Sequence, residues 1–164
     1  MNFKSSLLLL TTTLASVNCL QLFATCHRHR DRHRHHSVDA EEAFHILKRL
    51  PNDCFTYQTD NYIYEYCHLE SARQLGLQAI NNQREEYSLG TFSSTHSIQK
   101  YSPALGMAKI SLVGGDLCAE TGKERRSKVK FFCVDPKLSM HIISAREKST
   151  CNYRILVHVP QLCK

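Results

Sequence analysis

Tyr153-Arg154-Ile155-Leu156-Val157-His158-Val159 is the stretch from which the fold can be read. One aromatic and three β-branched residues fall within seven positions, a composition that suits the half-buried, pleated surface of a sheet. Working upstream, the same character returns in His141-Ile142-Ile143-Ser144, Val129-Lys130-Phe131-Phe132-Cys133, Ser88-Leu89-Gly90-Thr91-Phe92 and Tyr62-Ile63-Tyr64-Glu65-Tyr66. Breakers separate these runs: Asp60-Asn61, Gly76, Asn81-Asn82, Pro103, Gly114-Gly115, Gly122 and Pro136. Short strands between frequent turn signals predict an all-β sandwich or flattened barrel. Only Leu75–Ile80 reads as an apolar patch able to wind into a turn.

Six cysteines, at 54, 67, 118, 133, 151 and 163, lie in this β unit. Spacing alone leaves all their pairings open, although Cys54 and Cys67 are near enough to close a hairpin. No C-x-x-C or C-x-x-H pair occurs in the unit, so zinc is not expected and disulfides are.

Upstream of the unit the chain changes character twice. Residues 1–19 carry one basic residue, Lys4, then an apolar, small-residue stretch from Leu7 to Val17, and read as a secretory signal peptide cut after Cys19. Residues 20–50 hold a His/Arg-rich tail and a short helix. Cys26 to His36 contains five His and four Arg and lacks the apolar side chains needed to offset ordering. Ser37 to Leu50 is predicted helical, with Ser37 or Asp39 as cap, Glu41 and Glu42 in the first turn, Lys48 and Arg49 in the last, and Pro51 as stop. Its face of Phe44, Leu47 and Leu50 is expected to pack on the folded domain, residues 51–164.

The 164-residue chain carries 21 Lys+Arg against 15 Asp+Glu. Setting aside Lys4, the four tail arginines and Asp31 leaves 16 basic against 14 acidic residues, so nucleic-acid binding by the domain is not expected. No G-x-S-x-G, H-E-x-x-H, P-loop or G-x-G-x-x-G occurs, and the acids Asp116, Asp135 and Glu147 have no dyad spacing. An enzyme is therefore not expected, nor a cofactor or a metal. Gln74, Arg125, Arg126, Glu147 and Tyr153 supply the acceptors, donors and phenol that a sugar's vicinal hydroxyls require.

Six blocks now line up in order: Tyr64-Glu65-Tyr66-Cys67 with Gln74 seven residues on, Tyr87 to Phe92, Gly115 to Cys118, Arg125 to Cys133, Glu147 to Tyr153, and Pro160-Gln161-Leu162-Cys163. Together they resemble the mannose 6-phosphate receptor homology (MRH) domain, in particular endoplasmic reticulum lectins of the erlectin and osteosarcoma-nine type. The resemblance implies a flattened β-barrel of two crossed antiparallel sheets with disulfides Cys54–Cys67, Cys118–Cys151 and Cys133–Cys163, which leaves Cys26 as the odd thiol. It also implies a carbohydrate site of Gln74, Arg125, Glu147 and Tyr153. There Glu147 accepts from and Arg125 donates to adjacent ring hydroxyls, Gln74 bridges the axial 2-hydroxyl and Tyr153 closes the far side.

The implied function is a non-catalytic lectin that binds high-mannose or trimmed N-glycans on glycoproteins, serving quality control and degradation in the endoplasmic reticulum lumen, or secreted. The second reading is a regulatory subunit of a glycan-processing enzyme, like the glucosidase II beta or phosphotransferase gamma subunits. The third is a secreted metal- or polyanion-binding protein acting through its tail. The partners implied are glycans together with a larger membrane ligase or a glycan-processing enzyme. Neither nucleic acid nor a membrane span is implied.

Overall fold

The computed structural model describes residues 38–80, 83–95 and 99–163, with the side chain of Ile80 excepted. The expected signal peptide, the His/Arg-rich tail and Cys26 lie outside the described residues.

Two sheets carry the fold. The first has the order β1(Cys54–Gln58), β2(Tyr62–Cys67), β3(Ser71–Ile80), β4(Gln83–Thr91), an antiparallel meander. The second includes β5(Gln99–Ser102), β6(Met107–Leu112), β9(Arg126–Phe132), β10(His141–Ser149) and β11(Asn152–His158), in the order β10-β11-β9-β6-β5. A small ribbon, β7(Leu117–Cys118) with β8(Lys123–Glu124), lies in the chain between β6 and β9.

One pairing departs from the antiparallel expectation. β9 and β11 run parallel, with Val129 opposite Ile155 and Phe131 opposite Val157. The cause is topological. β10 takes the outer edge and β11 turns back into the place beside β9, so it returns in the direction of β9.

Period-two patterning explains which face is buried. In β6, Ala108, Ile110 and Leu112 point inward while Met107, Lys109 and Ser111 alternate with them. In β9, Ser127, Val129 and Phe131 are inward and Arg126, Lys128 and Lys130 outward. The first sheet contributes Tyr64, Tyr66, Ala72 and Leu89 to the same core. The Tyr66 and Phe131 rings meet between the sheets with centroids 6.0 Å apart. At one corner the sheets are stitched together, since Thr91 and Val113 exchange backbone hydrogen bonds of 2.8 and 3.1 Å.

The helix, α1(Ala40–Arg49), forms as its signals predict, although three residues shorter at its start. The Asp39 carboxylate accepts from the Glu42 N–H at 2.9 Å, Glu41 and Glu42 fill the first turn, and Lys48 and Arg49 the last. Leu47 and Leu50 are buried and Phe44 packs against the core as expected, with Ala43 buried beside them. Burying a leucine such as Leu47 contributes about 1.5–3 kcal/mol. Two polar contacts hold the segment: His68 Nε2 donates to the Leu47 carbonyl at 2.7 Å, and the Tyr101 hydroxyl donates to the Val38 carbonyl.

The apolar patch Leu75–Ile80 is extended, not a helical turn. It forms the second half of β3, paired with β2 as far as Gly76 and with β4 through Leu75, Ala79 and Ile80. Cross-strand pairing, chiefly with β4, outweighs the weak local preference of that segment. Three disulfides join Cys54 to Cys67, Cys118 to Cys151 and Cys133 to Cys163.

Candidate functional site

Gln74 lies in β3 directly between Tyr64 of β2 and Tyr87 of β4, so all three side chains leave the same face of the first sheet. Gln74 is buried, and its Nε2 lies 3.5 Å from the Tyr64 hydroxyl, which it meets as donor. The Tyr64 ring reaches across to Tyr153 of β11, centroid to centroid 6.4 Å, and the Tyr62 ring lies 6.4 Å from Tyr64 on the other side.

Arg125 immediately precedes β9 and completes the chain of contacts. Its Nη1 donates to the Tyr153 hydroxyl at 2.5 Å. Its guanidinium carbon lies 4.1 Å from the centroid of the Tyr87 ring, a cation–π stack. The side chain is 8 % exposed, yet among the described residues it has no carboxylate within salt-bridge distance, and its Nε–H is buried without an acceptor. The backbone around it is over-determined. The Arg125 N–H donates to the Asp116 carbonyl (2.8 Å), and its own carbonyl accepts from Gly115 (3.1 Å). Asp116 in turn accepts from the Ser88 N–H through Oδ2 at 2.7 Å. This close approach requires Gly115, because a Cβ there would lie 2.6 Å from both the Arg125 and Ser88 carbonyl oxygens.

Glu147 lies opposite Tyr153 in the β10–β11 hairpin. A register irregularity follows it, and Cys151 takes a left-handed φ of 59° in the turn. One Glu147 carboxylate oxygen accepts from the Cys151 N–H, and the residue is exposed. Its charge still reaches the two phenols. Burial above all, then Tyr153, Glu147 and Tyr62, pushes the Tyr64 phenol up to about 12. Burial and then Glu147 also raise Tyr153, against the lowering pull of Arg125. Both phenols are therefore neutral donors across the physiological range.

The four residues expected from the sequence thus divide. Gln74, Arg125 and Tyr153 are linked through Tyr64 into one buried polar cluster between the sheets. Glu147 stands at its margin with its carboxylate engaged by the turn. Arg126 is exposed on the opposite face of β9. The sequence motifs give no separate role to Tyr87, which supports Arg125, or to Tyr64, which links Gln74 to Tyr153. Their signal was present in strand alternation: Tyr62 and Tyr64 stand two apart on one face. The Cys54–Glu65–Cys67 and Cys118–Glu120–Cys151 groupings offer no thiolate, because in each the two sulfurs are bonded to one another.

This architecture is that of an MRH domain. The solved MRH domain of Yos9, complexed with an α3,α6-linked Man5 glycan, superposes with a TM-score of 0.59 at 24 % identity over 75 % of this chain and 84 % of that one. The particular relatives are mostly OS-9 homologues. The protein OS-9 homolog of Arabidopsis thaliana is 30 % identical over 133 residues, 73 % of this chain and 44 % of the relative. That of Yarrowia lipolytica is 26 % identical over 137 residues, 76 % of this chain and 25 % of the relative. The glucosidase 2 subunit beta of Mycosarcoma maydis is 30 % identical over 120 residues, 71 % of this chain and 19 % of the relative. Residues 52–131 match the family described as glucosidase II beta subunit-like protein. The chain spans less than half the length of these curated relatives.

Proposed function

We propose that this domain is a non-catalytic lectin that binds mannose-type N-glycans on glycoproteins in the secretory pathway. The observation that carries this reading is Arg125: a buried guanidinium, stacked and held by Tyr153, with one N–H lacking an acceptor. A buried charged donor left unmet costs about 1–3 kcal/mol or more, and a hydroxyl group offered by a ligand would satisfy it. Gln74 supplies both a donor and an acceptor beside it, Tyr153 a phenol, and Glu147 a carboxylate oxygen that has no hydrogen bond among the described residues. A hexose with an axial 2-hydroxyl would engage Gln74 and Arg125 together, whereas its equatorial epimer would leave one of them unmatched. Relatives of OS-9 type and a neighbour solved with a mannose glycan support the same ligand class.

The role follows from that ligand: reading trimmed or high-mannose glycans in glycoprotein quality control and endoplasmic-reticulum-associated degradation, with a larger membrane ligase as partner. Entry to that compartment would rest on the N-terminal 19 residues acting as a signal peptide. Among the described residues no helix is long and apolar enough to cross a membrane.

A glycan array tests the reading. Signals should fall on high-mannose structures and vanish in Arg125→Ala and Glu147→Gln while the domain stays folded; undiminished binding by both variants rejects the site. The match to the glucosidase II beta subunit-like family favours a second reading, a regulatory subunit of a glycan-processing enzyme. In that case the protein should co-purify stably with the enzyme's catalytic chain.

A further inference from the structure

We propose that the outer face of the second sheet is a docking surface for an extended, acidic segment of a partner protein. The face is built by the same alternation that builds the core. Arg126, Lys128 and Lys130 leave β9 outward, and the register sets further cations beside them: Lys109 opposite Lys130, and Arg154 opposite Lys128. With Lys148 these residues line one groove of about 330 Å³, together with Ser149, Asn152 and Tyr153. Lys100 beyond Lys109 and Arg146 beyond Arg154 extend both rows.

Among the described residues the ion pairs are those of Arg73 with Glu65 and Glu86, in the first sheet. Burial first, and then Arg154, Lys109, Lys148 and Lys128 around it, hold the Lys130 ammonium below its usual range. Like charges directly opposite on neighbouring strands destabilise a sheet. Lys109 against Lys130 and Lys128 against Arg154 are two such pairs, and no ion pair among the described residues includes any of the four.

The layout selects the occupant. Across β6, β9, β11 and β10 the cations cover about 14 Å, and from Arg126 to Lys130 about 13 Å. That is far wider than a single phosphate group, so the ligand is a polyanion. Along β9 the charges recur about every 6.6 Å, the spacing at which alternate side chains of an extended peptide repeat. Most are lysines, compact hydrated charges suited to carboxylates without a fixed fork geometry. Within these 164 residues no acidic run is longer than Glu41-Glu42 or Glu85-Glu86, so none of them supplies the segment, and a partner protein is the occupant proposed.

The candidate carbohydrate site lies on the other side of the same strands. Arg125 and Arg126, and Tyr153 and Arg154, are consecutive residues facing opposite ways, so the two surfaces can be occupied together.

Fluorescence anisotropy of labelled decaglutamate on the full chain tests this. The peptide should bind, weaken steeply with added salt, and lose about tenfold or more in affinity in Lys128→Glu/Lys130→Glu, which sets a carboxylate opposite Arg154 and another opposite Lys109, with the melting temperature held or raised. Lys109→Gln/Lys130→Gln should lose about threefold and serves if the first variant does not fold. The proposal is overturned by no binding, by equal binding in these variants (which would place the site in the His/Arg-rich segment), or by a heparin fragment binding about tenfold tighter than decaglutamate.

Discussion

Arg125 and Tyr153 are joined by a 2.5 Å hydrogen bond made where both side chains are more than nine-tenths withdrawn from solvent. Both groups are withdrawn from water, so the bond fixes the direction of the guanidinium and engages the phenol oxygen as acceptor, which leaves the phenol O–H to donate elsewhere. Tyr153→Phe removes the acceptor and strands a second Arg125 N–H, at about 1–3 kcal/mol. Mannose-oligosaccharide affinity is expected to fall about tenfold, with a small drop in melting temperature. Arg125→Ala should lose the affinity altogether. Titration calorimetry beside thermal melts separates the two effects, and equal affinities for wild type and Tyr153→Phe would count against Arg125 as the ligand donor.

Gly115 controls the same arginine through the backbone. A methyl group there meets two carbonyl oxygens at 2.6 Å, one of them that of Arg125 itself. Both belong to hydrogen-bonded segments, so relief requires moving the chain that sets Arg125. Gly115→Ala is expected to cost about 1–3 kcal/mol of stability and to abolish glycan binding. Chemical denaturation and a glycan array on the refolded variant check this, and an intact array signal would sever the link between the loop and the site.

The strands with the densest aromatic and β-branched content were legible in the sequence, because side-chain chemistry there agrees with the sheet. β1, β3, β5, β6 and the β7–β8 ribbon were not. Met107-Ala108-Lys109-Ile110-Ser111-Leu112 alternates cleanly, but its inward residues include a small alanine and its outward ones a lysine, so its composition signals a strand only weakly. β3 is held by neighbours on both edges, information that no local window contains. The parallel β9–β11 pairing likewise depends on where β10 settles. Within the site, the polar residues could be named from ordered motifs. The stacking of Arg125 on Tyr87 could not, since 38 residues separate them in the chain.

Two of the disulfides close loops of similar length, 33 residues for Cys118–Cys151 and 30 for Cys133–Cys163. Chain-entropy reasoning therefore assigns them similar stabilisation, about 3–4 kcal/mol each. Their positions differ. Cys151 occupies the turn whose N–H holds the Glu147 carboxylate, while Cys163 lies beyond the last strand. Replacing each pair by serines should lower stability alike, yet Cys118→Ser/Cys151→Ser should weaken mannose binding several-fold more. Denaturant melts with parallel binding assays decide this, and equal binding losses would show that the turn does not position Glu147.

His68 makes the domain acid-sensitive at the helix. Its Nε2 must donate, since the Leu47 carbonyl can only accept, so neutral Nδ1 is the acceptor for the Tyr66 hydroxyl at 3.0 Å. Burial, only partly opposed by the Leu47 bond, lowers its pKa from the ordinary histidine value. In the unfolded chain the imidazole takes up its proton near pH 6.5; in the folded chain it does so only at lower pH. Above that range neither state is protonated and stability is full. As pH falls the unfolded state binds the proton first, so stability drops until the folded-state value is passed. Protonation also removes the Tyr66 acceptor, leaving two donors facing each other beside Phe131. The melting temperature should therefore fall between pH 7 and pH 5 in the native chain. In His68→Gln, which cannot titrate, that slope should be shallower even though the variant starts from lower stability. Thermal melts of both proteins across this range are the measurement, and parallel curves would remove His68 as the cause.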